Sequence, residues 1–332
     1  MKIKYTTPFI KLALLLFISP LLILCGSDDS KESVIAESRI NPMQADPTIY
    51  IHNGTYYLYG TKNNPNVQGD GFTVYTSTDL ENWSGPAGAH DGFAFKKGDG
   101  YGDTAFWAPQ VFEYNSKFYM AYTANEHIAI AESNSPLGPF TNAGNPIPSE
   151  GKQIDPYVFF DDGKIYLYHV RLDQGNRIFV AEMEADLSAI KQETLTECIH
   201  ATKPWENTEN LGWAVTEGPT VFKSGELYYM VYSANDFRNR DYAVGYATSA
   251  SPTGLWNKEN GSPFISQQLL NVPGTGHGDI FYDGAGAMHY VFHTHFSTTQ
   301  VDPRKTAIIA LSLQQGVLAI KPGADVIWPL TD

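Results

Sequence analysis

Three short stretches carry the residues best suited to chemistry: Ala45-Asp46-Pro47, Ile154-Asp155-Pro156 and Glu217-Gly218-Pro219. Each sets a carboxylate in front of a β-branched and aromatic run. One Asp before Pro is ordinarily a turn cap that uses its own side chain, but three acids in one recurring setting point to a shared site. Carboxylates held close together resist joint ionisation, so such a trio contains one group whose pKa is pushed up and one that stays charged. That combination is an acid and a base. Hydrolysis of a glycosidic bond needs both, one protonating the leaving oxygen and one activating water from the opposite face, at a separation of roughly 6.5 to 9.5 Å when configuration inverts.

Residues so far apart in the chain need an architecture that gathers them, and self-similarity supplies it. Five segments share a pattern of β-branched and aromatic run, turn, and aromatic-rich strand: 45–50 leading to 56–59, 107–112 to 118–122, 154–159 to 165–168, 217–222 to 227–232, and 278–282 to 288–293. The turns Asn53-Gly54, Asn115-Ser116, Asp162-Gly163, Ser224-Gly225 and 284–286 suit tight hairpins. A further strand follows each hairpin, at 71–76, 127–132, 177–182, 242–248 and 307–313, and most units end in a Leu-rich or Trp-bearing piece such as 79–83. Four antiparallel strands recurring about five times predict an all-β, five-bladed β-propeller. A single β-sandwich would explain the strands but not the recurrence. The first strand of each blade lines the central channel, so the repeat sets Asp46, Asp155 and Glu217 at equivalent strand starts around one mouth. Two long connections, 84–106 and 191–216, rim that mouth and carry Phe93, Phe95, Tyr101, Phe106, Trp205 and Trp213. Aromatic faces above carboxylates suit a sugar, which stacks its C–H face and hydrogen-bonds its hydroxyls.

The three acids in this order, with Trp107-Ala108-Pro109 and His277, resemble glycoside hydrolase family 43 over about residues 41–330. The resemblance implies Asp46 as general base, Glu217 as general acid, and Asp155 as the residue that orients Glu217 and tunes its pKa. It implies inversion without a covalent intermediate. Expected substrates are arabinose- or xylose-containing plant polysaccharides, cleaved by an exo-acting α-L-arabinofuranosidase or β-xylosidase; endo-arabinanase or galactan-cleaving action is the alternative within the fold. A non-catalytic glycan-binding lipoprotein is the alternative of another class, against which the presence of all three acids speaks. Trp107, Phe106, Trp213 and Arg304 are the expected sugar contacts. The resemblance also implies a structural calcium in the central channel, approached by His277 through water, although a lone His is a poor marker for an ion that prefers oxygen.

Other residues are read more plainly. His289, His293 and His295 share a strand face by their odd numbering, which invites zinc, but satisfied histidines within a packed blade are preferred. Asp279 is a candidate fourth acid, with a backbone role for its Gly-rich approach, and Arg304 either reaches the sugar or holds its loop. The 332 residues carry 42% hydrophobic and 17% charged residues, enough apolar material for a large core. A net charge of −14 without any Lys/Arg cluster excludes a nucleic-acid partner and leaves carbohydrate. At the N-terminus Lys2, Lys4 and Lys11 precede an apolar run at 12–24, too short for the roughly 20 residues that span a bilayer. Residues 1–24 read as a signal peptide, 25–40 as a lipidated Cys25 and polar tether, and 41–332 as the catalytic propeller. Cys25-Gly26 resembles a lipoprotein signal, with Leu24 a departure from its small-residue preference. The expected location is the cell envelope, at the outer membrane, attached through the lipid alone. Cys198 then has no partner for a disulfide and reads as a small apolar residue rather than a nucleophile.

Overall fold

A computed structural model describes residues 39–62 and 70–331, so the expected signal peptide, Cys25 and nearly all of the tether lie outside the described residues. Five antiparallel sheets stand in a ring as a five-bladed β-propeller. The innermost strands are Gln44–His52, Trp107–Tyr114, Gln153–Asp161, Thr216–Ser224 and Gly276–Tyr282. Each folds back onto a second strand, Thr55–Lys62, Lys117–Ala124, Lys164–Leu172, Leu227–Ala234 or Met288–Thr294. At the first hairpin both Asn53 and Gly54 take positive φ, 50° and 77°, as a two-residue turn matched to strand twist requires.

Two expectations about outer strands are corrected. The closing piece at 79–83 is not the fourth strand of blade 1, because that place belongs to Phe93–Lys96, paired with Gly71–Ser77. Asn82–Trp83 instead runs parallel to Leu330–Thr331. Blade 2 has three strands rather than four. Its repeat is the shortest, and the chain after His127–Ser133 returns through an isolated bridge from Glu132 to Thr141 and a bond from the Ile147 N–H to the Ile128 carbonyl (2.7 Å) without forming a fourth strand.

Hydrophobic packing follows the ring. Five clusters form, one between each pair of neighbouring blades. Successive residues of a strand point to opposite faces, so Leu58 packs toward blade 5 while Tyr59 packs toward blade 2. Both faces are therefore apolar, which is why the second strands read as unbroken aromatic and aliphatic runs. Ile40 and Thr331 exchange backbone hydrogen bonds of 3.1 and 2.7 Å, joining the two ends of the fold beside blade 1.

What positions the mouth is a repeated defect. Every innermost strand breaks register near its start, between Ala45 and Thr48, Trp107 and Gln110, Ile154 and Tyr157, Glu217 and Thr220, and Gly276 and Gly278. At each break one residue is left-handed: Asp46 (φ 46°), Ala108 (46°), Asp155 (56°), Gly218 (59°) and His277 (40°). Such a bulge turns a strand and re-aims a side chain. Glu217 is therefore not the counterpart of Asp46 and Asp155, as the repeat suggested. It stands one residue earlier, Gly218 takes the ring position, and His277 fills it in blade 5. The bulge pairs two residues against one, so the one-residue offset that the prolines mark, with Pro219 after Gly218 where Pro47 and Pro156 follow the aspartates, decides which side chain faces the mouth.

Candidate active site

The left-handed residues carry buried amide N–H groups that have left the sheet ladder and need acceptors. Four find them on the second strand of the preceding blade: Asp46 donates to His293 Nδ1 (3.1 Å), Ala108 to Thr61 Oγ1 (2.9 Å), Asp155 to Thr123 Oγ1 (3.0 Å) and His277 to Ser233 Oγ (2.8 Å). In blade 3 the register partner of Ile154 is Val170, which has nothing to offer. The amide of Gly218 turns instead to Asp155 Oδ2 (3.3 Å). The same repeated need thus fixes Asp155 against the strand that bears Glu217.

Above this ring lies a cavity of about 870 Å3 whose wall includes Asp46, Asp155, Glu217, Trp107, Trp213 and Arg304. The sequence-predicted acids are brought together. Asp46 is held by Thr61 Oγ1 (2.6 Å) on one oxygen and by the Arg304 guanidinium (2.9 Å) on the other. The Thr61 hydroxyl accepts from Ala108 and so has its own proton free for Asp46. His293 Nδ1 and His277 Nδ1 stand 3.2 and 3.5 Å from Asp46 Oδ1. Burial alone would raise the Asp46 pKa, but the Arg304 guanidinium foremost, with His277, brings it well below the usual carboxylate range. Asp46 is thus held as the carboxylate. His293 is kept neutral, pushed down to about 3 by burial and then by Arg304.

Glu217 has the opposite setting. Tyr242 donates to Oε1 (2.8 Å) and Asn176 to Oε2 (3.0 Å). Burial outweighs the Tyr242 bond, and with the charge of Asp46 it raises Glu217 to about 7. Burial, then the charges of Glu217 and Asp46, push Asp155 up as well, so the two acids bind protons as a pair. A depressed carboxylate and a raised one share one cavity, which is the division of labour acid–base hydrolysis needs.

The other predicted contacts separate. Trp107 and Trp213 are 37% and 48% exposed and offer ring surface to the cavity. Phe106 also borders it, yet is only 3% exposed and packs against Phe72, Phe95 and Tyr122. Phe95 lies wholly in the core, and Trp205 packs on Tyr232. Arg304 reaches the site, but its partner is Asp46 and its guanidinium lies over Phe237 at 4.5 Å. The three histidines go three ways: His289 to Asp283 (3.0 Å), His295 to the Phe237 carbonyl (2.8 Å), and His293 to Asp46. Asp279 lies lower in the channel, its carboxylate accepting from Thr48 and Thr220 at 2.6 Å each. Burial pushes the Cys198 thiol up, away from nucleophilic use.

The residues do not form a calcium cage on their own. The space beneath the acids is about 20 Å3, room for one water-sized occupant, and no three His, Cys, Asp or Glu among the described residues are grouped to hold an ion. Sequence reading passed over Thr61, Asn176, Tyr242 and the site role of His293. A signal was available for Thr61 and His293: each is a polar residue at the end of the aromatic run of a second strand, as Thr123 and Ser233 also are.

The profile of glycosyl hydrolases family 43 matches residues 39–315. The chain belongs to glycosyl hydrolase family 43. Its enzymes are inverting glycoside hydrolases, and this chain is a glycoside hydrolase on their propeller. A solved endo-1,4-beta-xylanase from Bacteroides thetaiotaomicron is 41% identical, with a TM-score of 0.81 over 89% of this chain and 99% of that one. A beta-D-galactofuranosidase of Aspergillus niger is 24% identical over 80% of this chain and 78% of its own. An extracellular exo-alpha-(1->5)-L-arabinofuranosidase of Streptomyces avermitilis is 25% identical over 71% of this chain, which spans about half (52%) of that relative's length. The relatives of this family 43 chain thus include a xylanase, a galactofuranosidase and arabinofuranosidases, and some are extracellular.

Proposed function

We propose that the protein removes terminal pentose units from arabinose- or xylose-containing plant polysaccharides, as an α-L-arabinofuranosidase or β-xylosidase, with inversion. The observation that carries this reading is the pairing of an Arg304-held, ionised Asp46 with a Glu217 that keeps its proton to about pH 7. Asp46 takes a proton from water as the water oxygen bonds to the anomeric carbon. The bond to the leaving oxygen breaks, and that oxygen receives the Glu217 proton. Asp155, bound to the Gly218 amide, holds the strand that carries Glu217 and exchanges protons as a pair with it. Internal cleavage of a xylan chain is the second reading, favoured by the 41% identity to the Bacteroides xylanase. We also propose export with a lipid on Cys25, which the extracellular relative supports only as far as export.

The test is activity on nitrophenyl α-L-arabinofuranoside and β-D-xyloside, with arabino- and xylo-oligosaccharides alongside. Asp46→Ala and Glu217→Ala should each lose on the order of 10³-fold or more in kcat on an oligosaccharide. Glu217→Ala should lose much less on the nitrophenyl glycoside, whose leaving group needs little protonation. Wild-type protein that binds xylan or arabinan yet hydrolyses none of these substrates would end the enzymatic reading.

A further inference from the structure

Asn176 touches Glu217 through one end of its amide and Trp213 through the other. The Trp213 indole N–H donates to Asn176 Oδ1 at 2.9 Å, and Asn176 Nδ2 donates to Glu217 Oε2 at 3.0 Å. An asparagine amide has two near-equivalent orientations. Here the choice is forced, because an indole can donate and cannot accept. The amide oxygen must face Trp213, so an N–H must face the acid.

The link is also built into the backbone. Asn176 N–H donates to the Ala214 carbonyl at 2.9 Å, and Thr216 Oγ1 donates to the Asn176 carbonyl at 3.1 Å. Gly175 has φ 132°, and a Cβ there would stand 2.6 Å from the Ala214 carbonyl oxygen, so the two segments approach as closely as glycine permits. Trp213 leaves this rigid junction 48% exposed, in the cavity wall. In acid-assisted cleavage the sugar being released lies on the side of the proton donor, and Trp213 is a single amide away from that donor.

Resting on the assignment of Glu217 as acid, we propose that Trp213 is the platform for the leaving-group sugar and that, through Asn176, it acts as a positioning residue that keeps an N–H turned toward Glu217. Five groups face Glu217: the Tyr242 hydroxyl, the Asn176 amide, and the charges of Asp46, Asp155 and Asp236. Only the first two oppose its protonation. A donor on Oε2 favours the carboxylate, so the Asn176 N–H makes Glu217 readier to release its proton at neutral pH. Without the indole N–H, the amide is free to turn its carbonyl toward the acid, which favours the protonated form.

The experiment compares wild type with Trp213→Phe and Trp213→Ala by ¹³C NMR titration of glutamate-labelled protein, with Glu217→Gln to assign the signal. Both variants are expected to raise the Glu217 pKa by about 0.5 to 1 unit, and the basic limb of kcat/KM with it. Trp213→Phe keeps a ring and should hold KM for a pentose disaccharide within about twofold, whereas Trp213→Ala should raise it several-fold. An unchanged or lowered Glu217 pKa in both variants, or an unchanged disaccharide KM in Trp213→Ala, overturns the proposal. The titration does not need turnover, so its failure is distinct from absence of hydrolysis, which would refute the function itself.

Discussion

At the scale of single residues, the site works by giving chemically similar carboxyl groups different surroundings. Asp46 is surrounded by cationic and hydrogen-bonding groups, and Glu217 by burial and neighbouring negative charge. Loss of the Glu217 proton should therefore set the basic limb of kcat/KM on an oligosaccharide near pH 7, while the acidic limb lies far below it. Asp155→Asn removes the acid that shares protons with Glu217, so the basic limb of kcat/KM should reduce to the single ionisation of Glu217, measured as a pH profile. A basic limb of unchanged shape and position would contradict the coupling of these two acids. The convergence of the three acids on one cavity was legible in the sequence because they recur near the starts of innermost strands. His293 was not, because a histidine in a strand reads as packing until its partner, 247 positions away in the chain, is known.

At the scale of elements, the hairpins and third strands were legible from aromatic runs and turn residues, and the observed strands match the expected ones closely. The bulges were not, since they add no residue type of their own. They nevertheless decide the site, because the left-handed residue at each bulge faces the mouth and Glu217 gains its place by standing one position earlier. Gly218 is the element's weak point. It has φ 59°, and a Cβ there would lie 2.8 Å from the His277 ring. Gly218→Ala should cost about 1–2 kcal/mol from backbone strain alone, lowering the thermal midpoint. It should also reduce kcat at least tenfold by pushing His277 toward Asp46 and Asp155. Retention of both stability and rate would show that the ring position tolerates a side chain and that the bulge does not fix the acids. The outer strand of blade 1 escaped sequence reading because Asn82-Trp83 and Phe93–Lys96 are both short aromatic-bearing pieces, and only pairing with Gly71–Ser77 or Leu330–Thr331 distinguishes them.

At the scale of the whole molecule, five inter-blade cores close a ring whose geometry brings residues from blades 1, 3 and 4 to one cavity. If Cys25 carries a lipid, Cys25→Ala should abolish incorporation of labelled palmitate and move the protein from the membrane to the soluble fraction of cells. Unchanged membrane association in that variant would remove the anchor. The central claim is that a water activated by Asp46 attacks opposite a proton donated by Glu217, and the stereochemistry of the product tests it most directly. Proton NMR during the first seconds of hydrolysis of a substrate the enzyme cleaves should find the anomer of inverted configuration appearing first, with the retained anomer arising later by mutarotation. A retained anomer formed first would require a covalent intermediate and contradict the roles given to both acids.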